Sequence, residues 1–425
     1  MTGWYAQRMT GSTAHRERGN TAAPAVVLAP QTAAIALALL LGLQPVLTDL
    51  YLPALPLLSR ELAAPMSATQ LTMSALILAF GLSQLVWGPL ADRYGRRPVL
   101  LGNLLLLVLA SVGAASASQI SWLIFWRAAQ GATMAAAVVC ARAMVRDLYE
   151  PHQGTRIMSL GLSGLGLLAI AAPLLGGVLA TALGWRSTLA AVACFALIVL
   201  LYVWLALPET LAVRNPRALH GPTLARNAAR VLAHPRFRAW ALLVTATYGG
   251  LFTLLAASSF VYIDMLGLTP GQYGLAMASG SLSYLVGTFF CRRWLLRLGL
   301  LGAVRRGALF TLAGGIGMLS CALLPALATL PLVLGSQWLY TFGHGIHQPC
   351  GQAGAVGPFP QMAGVAAALA GCLLALTAFA IGLALGQTMD GTLRPMAIGI
   401  AFWAGVTALI GWTLVQRHGA PVTLG

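Results

Sequence analysis

Long apolar runs alternate with short polar breaks along this chain, and the runs have the length of membrane-crossing helices. Such a helix needs about 20 mostly apolar residues. Reading for runs of that kind predicts twelve: 33–58, 68–90, 98–118, 122–146, 157–182, 188–207, 239–263, 272–296, 303–324, 330–354, 363–388 and 396–415, taken in order as spans 1 to 12. The longest polar interruption, 208–238, divides them into 33–207 and 239–415, six spans each. Polar tails, 1–32 and 416–425, flank the two sets. The expected fold is therefore an all-α integral membrane protein, with twelve transmembrane helices in two six-helix pseudo-repeats around a central cavity. An internal echo points the same way: GPLADRYGRRPVLLG after span 2 and GTFFCRRWLLRLG after span 8 place basic residues and a glycine alike.

Composition agrees with the pattern. Charged residues are 8% of the 425 and hydrophobic ones 59%, against about 25% charged in soluble domains. Mean hydropathy is +0.82. The six cysteines stand singly in apolar segments and read as small packing residues. The polar start, followed by a run ending in Asp49 and Pro53, is read as a retained first span and not a cleaved leader, with Met9 an alternative start.

Charge then gives the sidedness. All 25 basic residues are arginine, and the formal net charge is +16. A basic balance of this size can signal nucleic acid, but the arginines sit in short breaks between apolar runs and never gather on a soluble unit. With the N-terminus cytoplasmic, 21 of the 25 fall on the inner side, in the tails, the 2–3, 4–5 and 8–9 breaks and the central loop. Arg60, Arg186 and Arg394 fall outside, and Arg127 lies within span 4. That distribution predicts both termini inside and basic loops against anionic lipid.

The most specific string is Gly88-Pro89-Leu90-Ala91-Asp92-Arg93-Tyr94-Gly95-Arg96-Arg97-Pro98. Gly88 is expected to permit close packing at the end of span 2, and Gly95 a tight turn. Asp92 can pair with nearby cations while the arginines reach headgroups. This order resembles the signature loop of the major facilitator superfamily. Asp49-Leu50-Tyr51-Leu52-Pro53-Ala54-Leu55-Pro56 resembles the first-span motif of its drug:proton antiporters. Arg127-Ala128-Ala129-Gln130-Gly131, running on to Arg142, Arg146 and Asp147, is similar to their fourth-span motif. Pro173, Gly176 and Gly177 are similar to the end of the span 5 antiporter motif, a helix-bend element, although Ala172 and Leu168 stand where the family has glycines. Pro208-Glu209-Thr210 closes the first half as in the Bcr/CflA subfamily of multidrug exporters. The second half matches only in pattern, as in the 357–364 stretch.

The resemblance implies a proton-coupled exporter of small amphipathic compounds in a bacterial inner membrane, working by alternating access. Asp49 then carries the proton. Mid-membrane aspartate costs about 2.5–3.5 kcal/mol on insertion scales, so its presence asks for a function. Asp49 lies 16 residues past Ala33, or ~24 Å of helix rise, so an outer-interface position is the alternative. Arg127, at comparable depth in span 4, is the expected switchable partner, with snorkelling to the headgroups the alternative. A cytoplasmic gate would comprise Gly88, Asp92, Arg93, Gly95, Arg96, Arg142, Arg146 and Asp147. Candidate substrate contacts are Tyr51, Gln84 and Gln130 in the first half. In the second they are Tyr248 and Phe252 in span 7 and the span 10 stripe Gln337, Thr341, His344 and Gln348. Such stripes serve interhelical packing equally well.

Other classes fit less. His344 and His347 form a His-x-x-His pair without a further ligand, so no metal or other cofactor is expected. A membrane enzyme would need clustered catalytic groups, and only Asp49, Asp264 and Asp390 come near the interior. A channel would need a ring of filter groups. The runner-up is a proton-coupled carrier for a sugar or organic acid. The expected partners are a small molecule, protons and the lipid bilayer, with no nucleic acid, and the chain is expected to act as a monomer.

Overall fold

A computed structural model describes residues 28–420. The expectations for the first tail, including Arg8, Arg16, Arg18 and Met9, lie outside the described residues. Among those described there is helix and no strand. Ten helices are long and apolar enough to cross a membrane. Two details bring the crossings to twelve. Helix Pro270–Leu323 has 54 residues, about 81 Å at 1.5 Å per residue, far more than one crossing requires. It reverses at Gly299, whose φ of 68° and ψ of −178° only glycine adopts without strain, giving spans 8 and 9 with no loop between them. Span 10, Leu330–Val356, is diluted by Gln337, His344, His347 and Gln348 and is the twelfth crossing.

The remaining spans are Met66–Tyr94, Arg96–Ala115, Ile120–Leu148, Pro151–Leu183 and Trp185–Ala206 in the first half. In the second they are Pro235–Ser259 with a π-helical end to Met265, Ala363–Thr388 and Arg394–Trp412. Span 1 is not the single helix its apolar run predicts. Pro30–Thr48 stops, a turn follows, and Leu52–Ala54 and Leu55–Glu61 resume it. Pro53 and Pro56 have no N–H to donate backwards, so the ladder cannot continue through Asp49–Leu52. The central loop carries an unexpected helix, Gly221–Ala233, whose Val231 is buried against the bundle while Arg226 and Arg230 stay on its outer side.

Spans 2 and 11 pack together, and so do spans 5 and 8. Adding six to 2 and 5 gives 8 and 11, so the pairings exchange between halves, as a pseudo-two-fold arrangement requires. Small residues set the distance. Gly177 lies against the Pro270 carbonyl, Gly274 against the Pro173 carbonyl, and Gly176 against the Leu50 backbone. Gly81 faces Gly371 and Ala375, and Gly382 faces Ser74. Helix Pro151–Leu183 runs unbroken through Pro173, and the 173–177 motif makes close contacts with neighbouring backbones. The atypical Leu168 has a match in this zipper, because its side chain packs onto Gly42 of span 1.

Among the described residues, three polar links join the halves. Gln70 Nε2 donates to the Ala256 carbonyl at 2.8 Å, Ser281 Oγ to the Ala169 carbonyl at 3.2 Å, and Arg60 pairs with Asp264 at 2.8 Å. They run from mid-membrane to the end opposite the arginine-rich loops, and none lies at the basic end. The molecule is thus sealed at the opposite end. Gly274→Ala should force the Pro173 backbone away and cost about 1–3 kcal/mol. Its melting temperature, followed by tryptophan fluorescence in detergent, is expected to fall by several degrees. Gly364→Ala, where a Cβ meets nothing within 4 Å, should leave it within about a degree.

Candidate functional site

The break in span 1 creates the polar centre of the first half. A carbonyl at the end of a helix has no intrahelical donor, and that of Leu47 is filled by Arg127. The Arg127 guanidinium donates to Leu47 O at 2.9 Å and to Gln130 Oε1 at 2.9 Å. It also touches Met73 Sδ at 3.5 Å and stands 4.4 Å over the Tyr51 ring. Gln130 in turn donates to Ser111 at 2.9 Å, and Tyr51 Oη meets Thr72 Oγ1 at 2.9 Å. Arg127 is 0% exposed, so it does not snorkel; only its Nε lacks a partner.

Arg127 and Asp49 form no ion pair in this conformation. Asp49, half-buried at the end of Pro30–Thr48, takes a hydrogen bond on Oδ1 from Thr48 Oγ1 at 2.8 Å. The short helix that follows it, Leu52–Ala54, packs against spans 7 and 8 of the second half. Asp49 therefore sits where the halves meet and has no cation of its own.

An open cavity lies between the halves on the basic side of the seal. Its polar wall is Gln44, Gln84, Arg142, Tyr248, Gln348 and Gln352, and its apolar wall includes Ile77, Phe80, Val244 and Leu374. Exposure along span 10 gives the direction of the mouth. Gln337, Thr341 and His344 are buried, Gln348 is half-buried and Gln352 is exposed. The cavity opens at the basic end.

Of the expected substrate contacts, Gln84, Tyr248 and Gln348 line this cavity. Six others lie outside its lining in this conformation. Tyr51 and Gln130 belong to the Arg127 cluster. Phe252 stacks on Tyr248 at 6.3 Å, fully buried behind it. Gln337 accepts from Tyr262 at 2.6 Å, Thr341 bonds the Gln337 carbonyl, and His344 Nδ1 meets Thr247 at 3.0 Å. Gln337 and His344 are thus held by span 7, and Thr341 by its own helix. His347 turns to the Val304 carbonyl at 3.2 Å, so the two histidines take separate partners. Sequence reasoning missed Gln44 and Gln352 and put Arg142 in the gate. The signals were the glutamine one turn before Asp49 and the Gln348–Gln352 spacing, which continues the span 10 stripe by four residues.

At the basic end the signature loop is tied within its own half. Arg96 pairs with Asp92 at 2.6 Å and Asp147 at 3.1 Å, and Arg93 lies over Tyr94. Gly95 has φ 108°, which a side chain would resist. The expected close packing at Gly88 is absent: a Cβ there would meet only Val139, at 3.9 Å. An unforeseen member is Glu209. Its carboxylate accepts from the Arg96 and Arg97 amides at 2.9 and 3.2 Å, capping span 3, and from Thr210 and Leu211 at 2.9 and 3.0 Å. Negative charge at a helix start is favourable. Arg146 makes no ion pair among the described residues.

Two six-helix halves around one cavity, closed at one end and open at the other, define a membrane transporter for small molecules. The chain belongs to the Major Facilitator Superfamily, whose model matches residues 37–387. Among its relatives, multidrug resistance protein D of Escherichia coli is 29% identical over 79% of this chain and 84% of its own. A chloramphenicol resistance protein of Pseudomonas aeruginosa is 27% identical over 87% of each. In fold, the xylose transporter XylE from E. coli, in a partially occluded inward-open conformation, superposes with TM-score 0.71 over 92% of this chain and 100% of its own, at 14% identity.

Glu209→Ala should strip four backbone amides of their acceptor and destabilise the start of span 3 by about 1–3 kcal/mol. Hydrogen exchange in the peptide covering 96–102 is expected to quicken about tenfold or more, while peptides of span 10 keep the wild-type rate.

Proposed function

We propose that this chain is a proton-coupled exporter of small amphipathic compounds, working by alternating access as a monomer in the bacterial inner membrane. The basic end faces the cytoplasm, together with both termini. Asp49 carries the reading: a carboxylate at the boundary of the halves with no counter-ion can hold a proton without breaking an ion pair. The names of the relatives, with their drug and chloramphenicol resistance, support export of such compounds.

In this scheme the present conformation accepts substrate from the cytoplasm. Asp49 lies beyond the cavity wall, so proton and substrate compete through the two conformations and not through shared space. A proton arriving at Asp49 from outside requires the 173–177 and 270–274 backbones to part, which closes the cavity on the other side. Each proton entering down 100 mV supplies about 2.3 kcal/mol. Asp92, Arg96 and Asp147, now paired within one half, are the groups available to latch the cytoplasmic side when the outer side opens. A proton-coupled sugar carrier is the second reading, since a D-xylose–proton symporter shares the fold with TM-score 0.69.

Growth of an efflux-deficient bacterial host on a panel of unrelated antibiotics and dyes tests the proposal. Wild type should protect against some compounds, an uncoupler should abolish the protection, and Asp49→Asn at matched membrane abundance should reduce it to the level of the empty vector. Equal protection by Asp49→Asn would remove Asp49 from coupling, and no protection by wild type would favour the sugar carrier. Asp92→Asn is expected to insert normally and lose most turnover; normal transport by it would exclude the latch.

A further inference from the structure

Buried polar groups in this molecule are generally satisfied, as Tyr51, Gln130, Gln337 and His344 are. The cavity wall holds polar side chains that make no such bond. Arg142 makes no ion pair among the described residues, and the acids of the basic end, Asp92 and Asp147, pair with Arg96. Gln348 is left with a buried Oε1 that nothing donates to. Arg142 comes from span 4, Gln84 from span 2 and Gln348 from span 10, so unpartnered polar groups from both halves converge on one space.

An arginine offers five N–H donors, each glutamine two, and a tyrosine one. The glutamine and tyrosine oxygens of the wall also accept, but its charge has one sign, because Arg142 is the charged side chain that lines it. No carboxylate belongs to the wall. Arg127 adds no second cation there, because its guanidinium is occupied by Leu47, Gln130 and Tyr51. Arginine keeps its charge at any accessible pH, so the wall is permanently positive and rich in donors. Ile77, Phe80, Val244 and Leu374 make the rest of it apolar. A cationic amphipath entering this space would meet like charge in a setting of low dielectric, which is costly. A carboxylate on an aromatic or aliphatic body would meet a planar fork built for it.

Resting on the exporter reading of the same cavity, we propose that it selects amphipathic molecules bearing a carboxylate or a similarly anionic group. Arg142 is the residue that makes the selection. It acts by direct contact with the anionic group, with Gln84 and Gln348 supplying further donors from the facing helices.

Three probes on one scaffold test this: 2-naphthylacetate, 2-naphthylacetamide and 2-(2-naphthyl)ethylammonium. Their binding to the full chain in nanodiscs of zwitterionic lipid is measured by titration calorimetry, with empty nanodiscs as the blank. The acetate should bind about tenfold or more tightly than the ammonium, the gain expected of a charge-assisted bond. In Arg142→Gln the ratio of acetate to acetamide affinity should fall to about one, and Arg142→Lys should restore part of it. The proposal is overturned if the ammonium binds as well as the acetate, if Arg142→Gln weakens all three alike, or if none binds. Binding needs no gradient, so failure of proton-coupled export leaves this result standing. Conversely, an exporter that prefers the ammonium loses only the anionic assignment.

Discussion

Helix backbones in contact hold this molecule in its present shape. Where Gly177 meets Pro270 and Gly274 meets Pro173, nothing larger than hydrogen separates spans 5 and 8. In lipid the hydrophobic effect between helices is lost, and close van der Waals approach takes its place. That approach is short-ranged, so it is made fully or not at all. The cavity, its mouth at the basic end and the position of Asp49 between the halves all follow from its being made at the opposite end.

The first half adds a second rigid constraint. Pro53 and Pro56 interrupt span 1, the interruption frees a carbonyl, and a fully buried arginine fills it. An unpaired cation in that position would cost several kcal/mol. Arg127 avoids this with a carbonyl, an amide and an aromatic face in place of an acid. Asp49 is thereby left without a counter-ion although an arginine lies in the neighbouring helix. The ion pair at the sealed end, Arg60 with Asp264, is largely exposed and on the scale of surface pairs contributes about 0–1 kcal/mol. The seal depends on packing, and the pair adds little to resist opening.

Much of this was legible in the chain. Apolar run length gave the twelve crossings and the two halves, because lipid forces every backbone group into helix. The order of residues around Gly95 pointed to a turn that the backbone does adopt. What escaped was whatever depends on which way a helix face turns. The span 10 stripe reads as one polar surface, yet two of its members bond a neighbouring helix, one bonds its own helix and one lines the cavity. Arg142 looks in sequence like its neighbours Arg146 and Arg156, and only the rotation of span 4 sends it into the cavity. Glu209, 112 residues from Arg97 in the chain, caps a helix that nothing local links to it. Span 1 hid its break inside an unbroken apolar run, and only its two prolines announced it.

The turn at Gly299 has a consequence for how the protein is made. Spans 8 and 9 share one residue as their whole connection, so there is no slack with which to thread one across the bilayer and then the other. A hairpin formed before entry would meet that constraint. Arg292, Arg293, Arg297, Arg305 and Arg306 crowd its tip, and five charges there resist crossing the lipid. In the proposed orientation, with this tip in the cytoplasm, the hairpin carries a charge signal of its own, separate from those of the first half.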